Sequence, residues 1–144
     1  MIYMRVAVEF MVMRDFMKAA TPFQMEEIRY QIRLQDLLIQ QPDFEPEQFY
    51  EMDRQMHGVW FMATGKEKLW KFILAQQLHY TRFRMLDFVT ETDFTRIIRE
   101  HPHLLSLLEQ GKEAELEEAL KDHLYISMTR MKHAIEVEYK DYFE

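Results

Sequence analysis

The scarcity of turn-forming residues constrains this chain more than any other feature of its sequence. Only 3 of its 144 residues are glycine and 4 are proline, so few positions can form the turns that a β-rich fold requires. Apolar residues recur at helical spacing over long runs, and no segment shows the alternation of β-branched residues that is typical of a strand. The sequence therefore predicts an all-α protein, an antiparallel bundle of about six helices.

Proline, glycine and capping residues divide the chain into six predicted helices. We expect Thr21 to cap the second helix, because Pro22 takes the first helical position and Gln24 completes a capping box three residues after the cap. The first helix is apolar on almost every side, which favours a place in the core or in a subunit interface. The predicted ranges are approximately 2–19, 22–40, 46–65, 66–89, 90–111 and 112–141.

Length and composition exclude several classes of protein. A chain of 144 residues suits one domain, residues 1–144, whose core needs no metal or disulfide merely to fold. The absence of cysteine excludes disulfides, a thiolate zinc site and a thiol nucleophile. Arg5 and Glu9 interrupt the apolar N-terminus and no cleavage site follows, so we expect neither a signal peptide nor a membrane span, and we predict a cytoplasmic protein. The net charge of -7 argues against direct binding of nucleic acid.

A pair of potential metal ligands lies on the predicted third helix. Asp53 and His57 are four residues apart and so share one face. With 25 acidic residues and 6 histidines in the chain, about one such pair is expected by chance, and an ordinary ion pair is the simpler interpretation. The same face carries Phe49, Trp60 and Phe61, which ought to be buried. A carboxylate buried there needs a partner, and either the imidazole alone or a shared metal ion would serve.

Two ligands do not hold a metal well, so further ligands would have to come from the other five histidines. His123 lies toward the apolar side of the last helix, where a lone histidine is more often a hydrogen-bonded core residue than a ligand. His101 and His103 are two residues apart, and helical geometry alone does not choose between them. His79 and His133 gain no role from their surroundings. The residues by themselves predict a helical bundle in which an Asp/His metal site competes with ordinary core packing.

The order of these motifs resembles the FCD domain, the effector-binding C-terminal domain of FadR-type regulators in the GntR family. The family's Asp-x-x-x-His pair is matched by "DRQMH", its Glu-His by "EH" at 100–101, and its final histidine by "LKDHL". His101 and His123 are 22 residues apart, which matches the family's interval, whereas His103 would give 20. In the first helix, "YMRVAVE" places Arg5 and Glu9 at the positions of a recurring Arg and Glu.

This resemblance implies a metal site in the bundle cavity. One carboxylate and three imidazoles are ligands that suit zinc, nickel or manganese, and the ligand types do not decide among these ions. The implied ligands are Asp53, His57, His101 and His123.

The resemblance also implies a small carboxylate-containing effector that binds beside the metal. Arg5 is the best candidate to clamp the carboxylate, because a guanidinium offers a bidentate fork. The alternative for Arg5 is a surface ion pair with Glu9, four residues away. Tyr80 and Arg84, four apart on the predicted fourth helix, are a second choice. The resemblance further implies a homodimer, and the apolar first helix is a candidate contact.

Three departures from the family pattern have consequences. Lys66 stands where the family usually has an asparagine, so an effector contact or helix cap that this asparagine provides is not expected here. Pro102 disfavours a helical conformation at His101, which predicts that His101 lies at a helix start or a kink and leaves His103 as the fallback ligand. No part of the 144 residues resembles the family's N-terminal winged helix-turn-helix, so we expect binding to DNA only through a domain that this chain lacks.

Two other classes of function stay open. A metal-dependent enzyme would need an acid or base besides the ligands, and Glu100 beside His101 is the only sequence-adjacent candidate. A metal-free dimerisation module would use the histidines only for packing. We favour ligand sensing over catalysis because no poised base or nucleophile accompanies the predicted ligands.

Overall fold

The computed structural model of this chain describes residues 2–76 and 94–137, with side chains described as far as residue 125. Within these residues the chain is an all-α bundle, and the predicted fold class is confirmed. The first three predicted helices lie within two residues of the observed ones. The helices are α1 (Ile2–Ala19), α2 (Pro22–Ile39), α3 (Pro46–Ala63), α4 (Glu67–Gln76), α5 (Thr95–Gln110) and α6 (Glu113–Val137).

Local sequence signals explain where the helices begin and end. The Thr21 hydroxyl accepts a hydrogen bond from the Gln24 backbone N–H, and the Gln24 side chain accepts one from the Thr21 N–H, so the predicted capping box is confirmed. Gly65 and Gly111 follow α3 and α5 with φ of 72° and 67°. These left-handed conformations favour glycine, which is why the two helices end there.

Helix α5 differs from the prediction around Pro102. His101 lies in the second turn of a helix that begins at Thr95 and continues through Pro102, so it does not lie at a helix start. Proline removes one backbone donor, but α5 is amphipathic and buries its apolar stripe, and this packing holds the helix together. The buried residues of α5 are Ile97, His101, Leu104, Leu105, Leu107 and Leu108.

The core lies between α1, α3, α5 and α6, and α2 covers α3 and α5. The largest fully buried side chains include Trp60, Phe16 and Phe61, and none of them is more than 1% exposed. Helix α1 directs Arg5 and Glu9 inward, on the same stripe as Phe16. This arrangement brings charged groups from α1 into the middle of the bundle.

Several predictions concern residues outside this description. The part of the predicted fourth helix after Gln76, most of the predicted cap "TETDF" and the end of the last helix belong to this group. None of the helices in the described ranges has both the length and the hydropathy needed to cross a bilayer.

Candidate metal centre

Four potential metal ligands converge in the core from three helices. Asp53 and His57 come from α3, His101 from α5 and His123 from α6. Each is at most 2% exposed. One ligand atom from each residue can be chosen so that all four atoms lie within 4.8 Å of one another. Two ligands on opposite sides of one ion at bond lengths of about 2.0–2.2 Å are about 4.0–4.4 Å apart, so the four atoms would have to move closer together by less than about 1 Å.

Asp53 lies between two of the imidazoles. Its Oδ1 atom is 3.0 Å from Nε2 of His101 and 3.5 Å from Nε2 of His57. The three imidazole rings surround a common point, with centroids 5.1–5.7 Å apart, and the rings of His57 and His123 are nearly parallel at 7°. The predicted pair on α3 therefore shares its surroundings with both later histidines.

Each imidazole is held from behind through its Nδ1 atom. Nδ1 of His57 is 2.8 Å from a carboxylate oxygen of Glu9. Nδ1 of His101 is 2.7 Å from the amide oxygen of Gln35, and Nδ1 of His123 is 2.7 Å from a carboxylate oxygen of Glu100. These oxygens only accept hydrogen bonds, so each Nδ1 carries the proton and donates. In the neutral imidazole, Nε2 is then left with its lone pair directed into the centre.

This arrangement fits a metal ion better than it fits a closed hydrogen-bond network. Nε2 of His57 and Nε2 of His101 are fully buried and make no hydrogen bond. With the proton on Nδ1, neither Nε2 has a hydrogen to donate to the nearby Asp53 oxygen, which is itself an acceptor. Buried polar atoms in proteins are nearly always satisfied, and exceptions call for a physical explanation. Metal-bound histidines commonly donate their other ring N–H to a carboxylate or a carbonyl, as all three do here.

Two buried charged residues of α1, Arg5 and Glu9, affect the pKa of His57. Glu9 is 0% exposed and accepts two hydrogen bonds of 3.2 Å from Nε and Nη2 of Arg5. Burial alone would raise the pKa of Glu9, but the charges of Arg5 and His57 and their hydrogen bonds outweigh it and lower the pKa to about 2. Burial would lower the pKa of His57, but the charges of Glu9 and Asp53 outweigh this effect and raise it. Glu9 is thus a carboxylate that favours positive charge at His57.

The other two imidazoles are biased toward the neutral form. Burial lowers the pKa of His101 to about 4, against the opposing effect of Asp53. Burial also lowers the pKa of His123, although the hydrogen bond to Glu100 opposes it. A neutral imidazole is the form that binds a metal.

The remaining predicted residues have different positions. Arg5 does pair with Glu9, but both side chains are buried, so the alternative of a surface ion pair is wrong. His103 is exposed, which removes it as the fallback ligand. Lys66 forms an ion pair of 3.2 Å with Asp15 of α1. The positions of Tyr80 and Arg84 lie outside the described residues.

Sequence reasoning missed Glu9 and Gln35 as parts of this centre. They lie 48 and 66 residues from the histidines that they contact. The only available signal for Glu9 was a charged pair within an otherwise apolar helix. Gln35 carried no signal, because α2 contains several glutamines at similar spacing.

The family model of the FCD domain matches residues 1–125 of the chain. No curated protein and no solved structure matches it. The four converging residues and the three that hold them from behind all lie within the matched range.

Proposed function

Since this chain belongs to the FCD domain family of effector-binding regulatory domains, we propose that it senses a small organic acid bound beside a divalent metal ion. The proposed metal ligands are Asp53, His57, His101 and His123. The observation that carries the proposal is the pair of buried imidazole nitrogens, on His57 and His101, that make no hydrogen bond.

The donor set suits zinc, nickel or manganese. When bound, such an ion supplies a Lewis-acidic position at which a carboxylate oxygen of the effector can coordinate. Glu9, Gln35 and Glu100 accept hydrogen bonds from the Nδ1 atoms, which leaves the Nε2 lone pairs to bind the metal. Asp53 adds negative charge. The surrounding side chains, among them Trp60, whose ring centroid is 5.1 Å from that of His57, keep bulk water from the ligands.

The experiment that tests the metal proposal is elemental analysis of protein purified without a histidine tag or added metal. We expect about one divalent ion per chain, with the ion lost on His57→Ala or His123→Ala. His103→Ala is the matched control, because His103 is exposed and should leave the metal content unchanged. Full metal content in the His57→Ala and His123→Ala variants would rule out the proposed ligands.

We propose Arg5, Tyr80 and Arg84 as residues that bind the carboxylate of the effector. Arg5 is 3% exposed and pairs with Glu9, whose carboxylate contacts His57. Its guanidinium donates to Glu9 through Nε and Nη2, and this planar, permanently charged group is the kind that binds carboxylates in proteins. Calorimetric titration with small mono- and dicarboxylates should show binding to zinc-loaded protein. Equal binding to metal-stripped protein would contradict a metal-dependent site.

Sensing is favoured over catalysis by the position of Glu100. This carboxylate was the candidate acid or base for an enzyme, but it accepts a hydrogen bond from His123 and pairs with Arg96. It is therefore already engaged in holding a ligand. A metal-dependent enzyme is the alternative, and turnover of a small acid by the zinc-loaded protein would establish it.

We further propose a homodimer that acts in the cytoplasm and reaches DNA through a winged helix-turn-helix domain outside this chain. Tyr3 and Met11 of α1 support the dimer, because they are 78% and 54% exposed and follow one another at helical spacing. Light scattering should give twice the mass of the chain, and Tyr3→Glu with Met11→Glu should give the monomer. A wild-type monomer at micromolar concentration would contradict the dimer.

A further inference from the structure

The residues behind His57 form a buried series that the metal ligands alone do not require. Glu9 contacts His57, Arg5 contacts Glu9, and the Arg5 guanidinium lies over the ring of Trp70, 5.3 Å from its centroid. These residues come from α1, α3 and α4. We infer that Glu9 is a positioning residue of the metal centre, which acts through His57 to fix its orientation and to strengthen it as a ligand.

The three groups that hold the imidazoles are not equivalent. Gln35, behind His101, is a neutral amide. Glu100, behind His123, is a carboxylate whose side chain is 22% exposed, so solvent screens part of its charge. Glu9 is a carboxylate with no exposed surface. Only His57 therefore has a fully buried anion behind it, and an anion that accepts a hydrogen bond from Nδ1–H makes Nε2 a stronger electron donor.

Arg5 and Trp70 keep this anion in place. A buried carboxylate is costly without a partner, and the two hydrogen bonds from Arg5 satisfy Glu9 on the side away from His57. The Trp70 ring lies close to the backbone of α3 because residue 58 is glycine. A side-chain carbon at Gly58 would come within 3.0 Å of the Trp70 indole nitrogen. The absence of a side chain at Gly58 thus allows Trp70 to pack where it covers Arg5.

The inference rests on the proposed metal site, and its test uses cobalt and zinc ions as probes. The substitution Glu9→Gln keeps the size of the side chain and an oxygen that can accept a hydrogen bond from Nδ1–H, but it removes the charge. We expect the zinc dissociation constant, measured by competition with a chelator, to rise about 10- to 100-fold. We also expect the visible absorption bands of the cobalt-loaded protein to shift at full occupancy, because the donor strength of His57 changes.

Asp15→Asn is the matched control. Asp15 lies on the same helix and pairs with Lys66, so the substitution also removes one acidic partner of an ion pair without touching a histidine. We expect this variant to keep the wild-type affinity and spectrum. A spectral shift confined to Glu9→Gln separates positioning of the ligand from a general loss of stability, which would leave the spectrum of the fully loaded protein unchanged.

A second variant covers the case in which Glu9→Gln fails to fold because Arg5 is left with an uncompensated charge. Arg5→Met combined with Glu9→Gln removes both charges, and we expect it to show the same weakened binding and the same spectral shift. Wild-type affinity and spectrum in the Glu9 variants would overturn the inference while leaving the metal site intact. Absence of zinc and cobalt binding by the wild-type protein would overturn both.

Discussion

Replacement of His101 and His103 in turn provides the sharpest test of the metal centre. The two residues are separated by one position on α5, yet His101 is 1% exposed and faces Asp53, whereas His103 is exposed to solvent. His101→Ala should remove one of four protein ligands. His103→Ala removes the same side chain from the same helix without touching the centre.

The size of the effect follows from linkage between metal binding and unfolding. At a free zinc concentration 100 times the dissociation constant, binding stabilises the folded domain by about 2.7 kcal/mol. Loss of a residue that is hydrogen-bonded to a metal ligand weakens metal binding by up to about 100-fold. Loss of a ligand itself should weaken binding at least as much. The stabilisation then falls to about 0.4 kcal/mol. For 144 residues the entropy of unfolding is about 0.3 kcal/mol/K, so about 8 °C of the zinc-dependent rise in melting temperature should disappear.

Differential scanning calorimetry of chelator-treated protein, with and without zinc, measures this rise for each variant. The cavity left by His101→Ala affects both measurements, so it cancels in the difference between them. We expect His103→Ala to keep the full rise. If His101→Ala also keeps it, or if His103→Ala loses it, the assignment of ligands on α5 is wrong.

Three further predictions follow from individual side chains. Burial alone would lower the pKa of His57, but neighbouring carboxylates raise it. Because the imidazole must lose its proton to bind a metal, zinc affinity should decrease as the pH falls through this raised pKa. Competition with a chelator between about pH 8 and pH 5 measures the decrease. Gly111→Ala places a side chain at a φ of 67° and should lower the free energy of unfolding by about 1 kcal/mol in urea titration; an unchanged midpoint would contradict the assigned helix end. Leu120→Ala, at a position with 0% exposure, should cost about 2–5 kcal/mol, whereas Leu37→Ala, at 56% exposure, should cost less than about 0.5 kcal/mol.

The helices could be predicted because their signals are local. Thr21, Pro22 and Gln24 specify the start of α2 within four residues of sequence, and the scarcity of glycine left few alternatives elsewhere. The same locality explains why Pro102 wrongly indicated a helix start at His101, one of the two positions predicted for that residue. A local rule describes the conformation that proline disfavours at His101, but the burial of the apolar stripe of α5 against other helices decides the outcome.

The candidate site was predictable only in part. Spacing on one helix identified Asp53 and His57, and the family resemblance selected His101 and His123 from the other histidines. Which residues contact the Nδ1 atoms of the imidazoles depends on which helices pack against one another. The spacing of residues within α1 or α2 does not predict this packing. The spacing of Arg5 and Glu9 in the sequence suggested a surface ion pair as one of two interpretations, whereas the contact between Glu9 and His57 depends on how the helices pack.

The same long-range contacts connect the proposed ion to nearly the whole bundle. The ligands come from α3, α5 and α6, and the groups behind them come from α1, α2 and α5. Without an ion, the buried Nε2 atoms of His57 and His101 reduce the stability of this assembly, because desolvated polar atoms without hydrogen bonds are costly. An ion that binds there compensates for that cost at the point where five helices meet. Metal loading should therefore stabilise α1 and α2 as well, although neither helix supplies a ligand, and hydrogen exchange in these two helices should slow when zinc is added.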